Sequence, residues 1–258
     1  GVEQRITGIR FVPVNGGVNG PSLLVRVPKS WRSPHMVIFK NLSRFFSRNN
    51  LGKYQLDLSE IRSAMILSDS LPGRIRQLRD DRVARIFAQD TPVRLPMGAK
   101  VILHVLPIGN LEASNIDLLA LKTRMHELAP HYASSWAHRF NIDGLLLHAV
   151  EQPDVGSHGY VQVFRSGLFE LVETGFLHEN GSDRYIPGRG LETDLMREVQ
   201  RFLRLSVVIQ AEPPAVIMAT LLWVRGYRIA TQPERFRDQP HYTIDRDLIS
   251  LPDILVED

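Results

Sequence analysis

The sequence predicts an α+β protein of two parts: an antiparallel β-meander with helices, then a second α+β domain. Three features point to it. Short β-branched and aromatic runs, separated by Gly, Asn and Ser, fill the first 48 residues. A helix-start signal stands at Asp57. Beyond residue 98 the runs take the order strand, helix, strand, strand, helix, strand.

Residues 5 to 14 and 22 to 27 read as strands, joined by Asn15, Gly16, Gly17, Val18, Asn19 and Gly20, a run rich in residues that tolerate positive φ. Ile9 and Phe11 share one face of the first; Leu23, Val25 and Val27 share one face of the second. Residues 36 to 40 and 44 to 48 form a hairpin, with Asn41 and Ser43 in its turn. The four strands predict one meander, so the chain starts in mid-sheet.

Asp57, Leu58, Ser59 and Glu60 make a capping box, in which the Asp57 carboxylate takes one backbone N–H and the Glu60 carboxylate another. It opens a short helix with Leu58, Ile61 and Met65 on its buried face. Leu71, Pro72 and Gly73 break it, and residues 74 to 89 form a second helix with Ile75, Leu78, Val83, Ile86 and Phe87 inward. Arg76, Arg79, Arg82 and Arg85 wind around this helix instead of lining one side, which predicts a solvated linker. Residues 91 to 98, with two prolines and a glycine, mark a boundary. The division is therefore 1–66, a helical linker 67–98, and 99–258.

In the last part, residues 100 to 106 read as a buried strand, and Ser114-x-x-Asp117 can cap a helix carrying Ile116, Leu118, Leu119, Leu121 and Met125. Residues 144 to 150 are a strand, and 160 to 173 a hairpin turning at Ser166 and Gly167. Residues 191 to 205 form the clearest helix, striped by Leu191, Leu195, Val199, Phe202 and Leu203. After Pro213 and Pro214, residues 215 to 223 are a buried strand or a short buried helix. These helices are expected on one sheet face, and the acidic residues 253 to 258 as a frayed tail.

Composition narrows function. The chain is 43% hydrophobic and 23% charged, with no cysteine, so disulfides, thiolate metal sites and a thiol nucleophile are excluded. It has no apolar run of about 18 residues, so no membrane partner is expected, and a cytoplasmic location is the default. Net charge is +3 but uneven: residues 1–98 carry +9 and residues 99–258 carry −6. The first part suits a polyanion; the second suits a partner subunit or an identical copy.

The charge concentrates between residues 28 and 62, where seven Lys or Arg face two acids. On a strand, Arg44, Phe46 and Arg48 share one face. Lys29, Trp31, Arg32 and His35 lead into the hairpin, Lys40 sits just across the turn from the stripe, and Lys53 and Tyr54 come after it. Cations along a backbone with rings for bases are what sequence-tolerant nucleic-acid binding uses. The bland alternative places Phe39, Phe45 and Phe46 in a core with the arginines solvated around them. His35 either donates to a phosphate or braces its loop.

The same stretch carries a resemblance. Ser30, Pro34, His35 and Val37, then Arg44-Phe45-Phe46-Ser47-Arg48, then Gly52-Lys53-Tyr54 and a polar lead into a helix ending near Arg62, are similar to the second half of the Schlafen AlbA-like domain. The similarity covers about residues 5 to 66. Bacterial proteins with that domain are described as DNA-binding or ATP-binding, so the resemblance implies nucleic-acid contact and, in some members, RNA cleavage. The acids credited with cleavage lie upstream of the matched half. Either the chain is the downstream part of a longer protein or it relies on binding alone, and no catalytic residue is carried over. The runs 159 to 167 and 244 to 252 resemble segments downstream of the domain in some bacterial relatives, with no activity attached.

Other chemistry finds little footing. His126 and His131 miss the HExxH spacing by one residue, and Pro130 would break a shared helix. His104 and His148 sit in apolar strands as core residues. There is no GxxxxGK[ST] loop, so ATP binding lacks a phosphate cradle; Gly188-Arg189-Gly190 is a weak anion-site candidate at a helix start, with a flexible turn that admits the helix as the favoured reading. Acidic pairs such as Glu151 with Asp154, or Glu170 with Glu173, could hold magnesium, but Glu170 and Glu173 point to opposite faces if both stay in one strand, which argues against a shared ion. No cofactor is therefore expected, with magnesium or manganese implied only if the chain serves a nuclease. Enzyme status stays open between binder, Schlafen-type ribonuclease and interaction subunit.

Overall fold

The structure, a computed structural model, describes the chain except residues 1, 4, 5, 7, 8, 16–19, 28, 29, 31, 32, 51, 109–115, 152, 182, 212, 213, 231–242 and 258. The protein is α+β with almost wholly antiparallel sheets. It divides into two compact units, residues 1–78 with 257–258, and residues 79–256; the Pro-rich stretch 91–98 lies inside the second.

Unit 1 holds two sheets where the sequence suggests one meander. Strands β1 (Val2–Glu3), β2 (Arg10–Val14), β3 (Ser22–Arg26), β4 (Met36–Phe39), β5 (Leu42–Asn49) and β6 (Gly52–Gln55) sort into a four-stranded sheet, β1-β4-β5-β6, and a separate hairpin, β2-β3. A meander would place β3 beside β4, but β1 takes that edge, pairing Val2 with Val37 and Glu3 with Met36. Alternation specifies which residues share a face; it does not specify which strand fills an edge.

The capping box forms as expected: Glu60 N–H donates to Asp57 Oδ1 at 2.8 Å and Asp57 N–H to Glu60 Oε2 at 2.9 Å. The helix it opens does not stop at Pro72. α1 runs unbroken from Leu58–Phe87 with Pro72 inside it. Proline removes one donor and crowds one carbonyl, a local loss that good helix formers on both sides can outweigh. The expected inner face fails as well, since Leu58 is 72% and Met65 45% exposed. Of the second stripe, Ile75, Val83 and Ile86 are buried while Phe87 is exposed.

Unit 2 is built on an eight-stranded antiparallel sheet. β7 (Lys100–Pro107), β8 (Trp136–Phe140), β9 (Gly144–Ala149), β10 (Gly159–Phe164), β11 (Phe169–Glu173), β14 (Ala215–Leu222), β16 (Leu248–Ser250) and β17 (Ile254–Val256) take the order β16-β14-β7-β11-β10-β9-β8, with β17 also on β14. The 215–223 run is therefore a strand, and the acidic end is not frayed, because Ile254 to Val256 pair with Ala215 to Ile217. A small sheet of β12 (His178–Asn180), β13 (Asp183–Pro187) and β15 (Arg228–Ala230) contains the parallel pair β13·β15.

The 3-10 helix Leu118–Leu128, capped by Asp117, and α2 (Gly188–Val208) cover one sheet face with Leu121, Leu128, Phe202 and Leu205. The other face is not bare: Val83 and Ile86 of α1, with Val93, pack on Ile102, Leu146, Tyr160, Val172 and Leu222. The expectation of helices on one face is corrected accordingly. Every position of β7 and β14 is buried, the mark of strands covered on both faces. Among the described residues no helix is long and apolar enough to cross a membrane.

Candidate functional site

The basic face of unit 1 is assembled by strand register. β4 and β5 are joined through Lys40 and Asn41, with φ of 48° and 63°, a two-residue turn that needs positive φ twice and matches the twist of its strands. The turn thus lies one residue earlier than the sequence suggests, and Lys40 belongs to it. Val37 opposes Arg44, Phe46 opposes Gln55, and Arg48 opposes Lys53. Directly opposed residues share a face, so Arg44, Phe46, Arg48 and Lys53 all lie on one side of the sheet. Phe39, 67% exposed, joins the same side through its partner Leu42.

Arg44, Arg48 and Lys53 are exposed, and no carboxylate lies within ion-pair distance of them or of Lys40 among the described residues. Lys53 Nζ stands 5.2 Å from the centre of the Phe46 ring and Lys40 Nζ 5.5 Å from that of Phe39, so each ring holds a cation beside an exposed strand. Like charges placed directly opposite on a sheet disfavour it by roughly 0.2–1 kcal/mol, and Arg48 with Lys53 is such a pair.

Strand β6 goes beyond the strands that the sequence predicts. It is what brings Lys53 beside Arg48, and its only sequence signal is the Gly52-Lys53-Tyr54-Gln55 run after Asn49 and Asn50. Tyr54 does not join the stripe, because it opposes Ser47 on the other face and its hydroxyl donates to Glu60 Oε1 at 3.2 Å. Phe45 lies on that other face too, opposite Met36. His35 is half-buried after the cis Ser33–Pro34 bond. Lys29, Trp31 and Arg32 lie outside the described residues.

Unit 2 carries a second polar cluster, invisible in the sequence. The Glu170 carboxylate accepts Arg82 Nε and Nη2 at 2.8 Å each, His104 Nε2 at 2.9 Å and the Tyr160 hydroxyl at 2.9 Å. Burial alone would raise this carboxyl, but the bonds from Arg82 and His104 outweigh it and hold it at about 2. Burial beside Glu170 pushes the Tyr160 hydroxyl well up. Four donors occupy what an ionised carboxylate can accept, so the cluster clamps α1 to β11 and leaves no acceptor for a substrate. Arg82 is thus no solvated linker residue, and neither is Arg79, which pairs with Asp253 at 2.9 Å.

Glu173 points to the opposite face, as the strand period requires. It takes the Tyr132 N–H at 3.3 Å, and burial pushes its carboxyl up to about 8. Gly159 makes room for it: a Cβ there would stand 1.8 Å from Glu173 Oε2. His131 Nε2 stands 2.7 Å from Arg197 Nη1, and no cluster of three or more His, Asp or Glu suited to a metal ion occurs among the described residues. No protein family, curated protein or solved structure matches the chain.

Proposed function

We propose that this chain binds DNA or RNA through phosphate contacts made by the Arg44, Arg48 and Lys53 face of unit 1, with Lys40 at its edge and Phe46 and Phe39 as rings against which bases stack. The observation that carries the reading is the register that sets Arg48 opposite Lys53, with no carboxylate within ion-pair distance of either among the described residues. A polyanion relieves that repulsion and releases its own counterions in doing so. The resemblance of residues 5 to 66 to the Schlafen AlbA-like domain supports the same reading, and the lack of cysteine suits a reducing cytoplasm.

Gel shifts with single- and double-stranded oligonucleotides test it. Affinity should fall steeply with salt, and Arg44→Glu with Arg48→Glu should abolish binding, while Lys53→Ala should flatten the log–log salt slope by about 0.9. Salt-insensitive binding, or none at low salt, overturns the proposal. Cleavage of the oligonucleotide in magnesium or manganese would add a nuclease role that the reading does not require.

A further inference from the structure

Unit 2 contains a pocket of about 270 Å³ between the end of α1, the loop 91–97, Lys100 and Trp223. Lys100 is 2% exposed. Its Nζ donates to the carbonyls of Pro96 at 2.5 Å and Gly98 at 2.9 Å and stands 4.4 Å from the centre of the Trp223 ring. An ammonium has three donors, and these bonds use two. All its partners are neutral, and no Asp or Glu lines the pocket; its other charged wall is Arg94. A buried cation held only by dipoles and a ring lacks the anion that ordinarily accompanies one.

Trp223 sharpens the point. Its φ is 57°, in the left-handed region, which costs a bulky residue about 1–2 kcal/mol. That conformation sets the indole against Lys100 on one hand and against Phe87, at 5.6 Å, on the other. The indole, half-buried, thus lies between the ammonium and the Phe87 ring. Ile86, Val93 and Leu95 supply an apolar wall instead.

We propose that this pocket binds a small carboxylate with an apolar body, its carboxylate accepting the third Lys100 donor and its body lying against Ile86, Val93 and Leu95. The volume is at the lower end of small-molecule sites, which suits a ligand of one ring or a short branched chain. A phosphate is disfavoured, because it could meet Lys100 and Arg94 but would leave the apolar wall of Ile86, Val93 and Leu95 uncovered. Burial pushes the Lys100 ammonium down to about 8, and a carboxylate beside it would help it keep its proton.

The test uses the full chain, with benzoate as probe, benzyl alcohol as its neutral counterpart and inorganic phosphate as the competing anion. Benzoate should shift Trp emission saturably and move amide NMR signals of residues 86–100 and 223. Benzyl alcohol and phosphate should bind about tenfold more weakly or less, a difference of about 1.4 kcal/mol. Lys100→Met should lose at least about tenfold in benzoate affinity with an unchanged circular dichroism spectrum. If that variant does not fold, Arg94→Ala at the exposed rim should still weaken benzoate and leave benzyl alcohol unaffected. The proposal is overturned by no saturable response at millimolar benzoate, by equal affinity for benzyl alcohol or phosphate, or by NMR shifts outside the pocket.

Discussion

Units 1 and 2 solve the problem of staying folded in different ways. Among the described residues of 1–78 the one buried hydrophobic is Ile75, whereas in unit 2 all of β7, β9 and β14 are buried. Unit 1 shows its apolar side chains, with Phe11 at 64%, Leu23 at 62% and Ile66 at 62% exposure. Its order rests on local ladders, a tight turn and a helix cap. Unit 2 rests on burial of residues far apart in sequence. That contrast governs where function can sit: unit 1 carries its basic stripe on its surface, whereas unit 2 also holds charged groups inside, Glu170 matched by Arg82 and Lys100 by no carboxylate.

The widest gap between the units is read by truncating one leucine in each. Leu103→Ala, fully buried in β7, should cost about 2–5 kcal/mol in denaturant unfolding followed at Trp136 and Trp223. Leu23→Ala in β3 should cost less than about 0.5 kcal/mol. Equal effects would erase the contrast.

A smaller effect of the same kind comes from the clamp. Glu170→Gln leaves Arg82 without its carboxylate and should destabilise unit 2 by about 3 kcal/mol near neutral pH. The Glu170 pKa is lowered on folding, so its contribution is complete above about 4.5 and is lost as pH falls towards about 2. The variant and the parent should therefore converge in acid. A difference that persists there would place the clamp's role in packing alone.

Glu173 changes a slope instead of an offset. Its folded pKa is raised, so its cost is absent below about 4.5 and grows as pH rises towards about 8. Glu173→Gln should match the parent near the lower end of that interval and exceed its stability increasingly towards the upper end. Two glutamates three residues apart would then show opposite pH behaviour, because the bonds from Arg82 and His104 outweigh burial at Glu170, whereas burial outweighs the single Tyr132 amide at Glu173.

Much of the fold is legible in the sequence because it is written locally. The Asp57 and Glu60 cap, the Ser166–Gly167 hairpin, the α2 stripe and the shared face of Arg44, Phe46 and Arg48 each need only neighbours within a few residues. What escapes such a reading needs partners from elsewhere. Nothing near Arg82 announces Glu170, 88 residues on, and nothing near Lys53 announces Arg48 except a short polar run. Pro72 misleads because a local penalty is weighed without the two helical halves around it.

The order of amino acids is enough to show that the early strands carry an excess of positive charge, that side chains alternate along them, and that the later strands are apolar enough to be buried. It took the folded chain to fix which cations meet, which helix covers which sheet face, and that Lys100 and Trp223 close one pocket. Periodicity is a property of one segment, whereas pairing is a choice among segments. That choice is made by burial and by matching of charge over the whole unit.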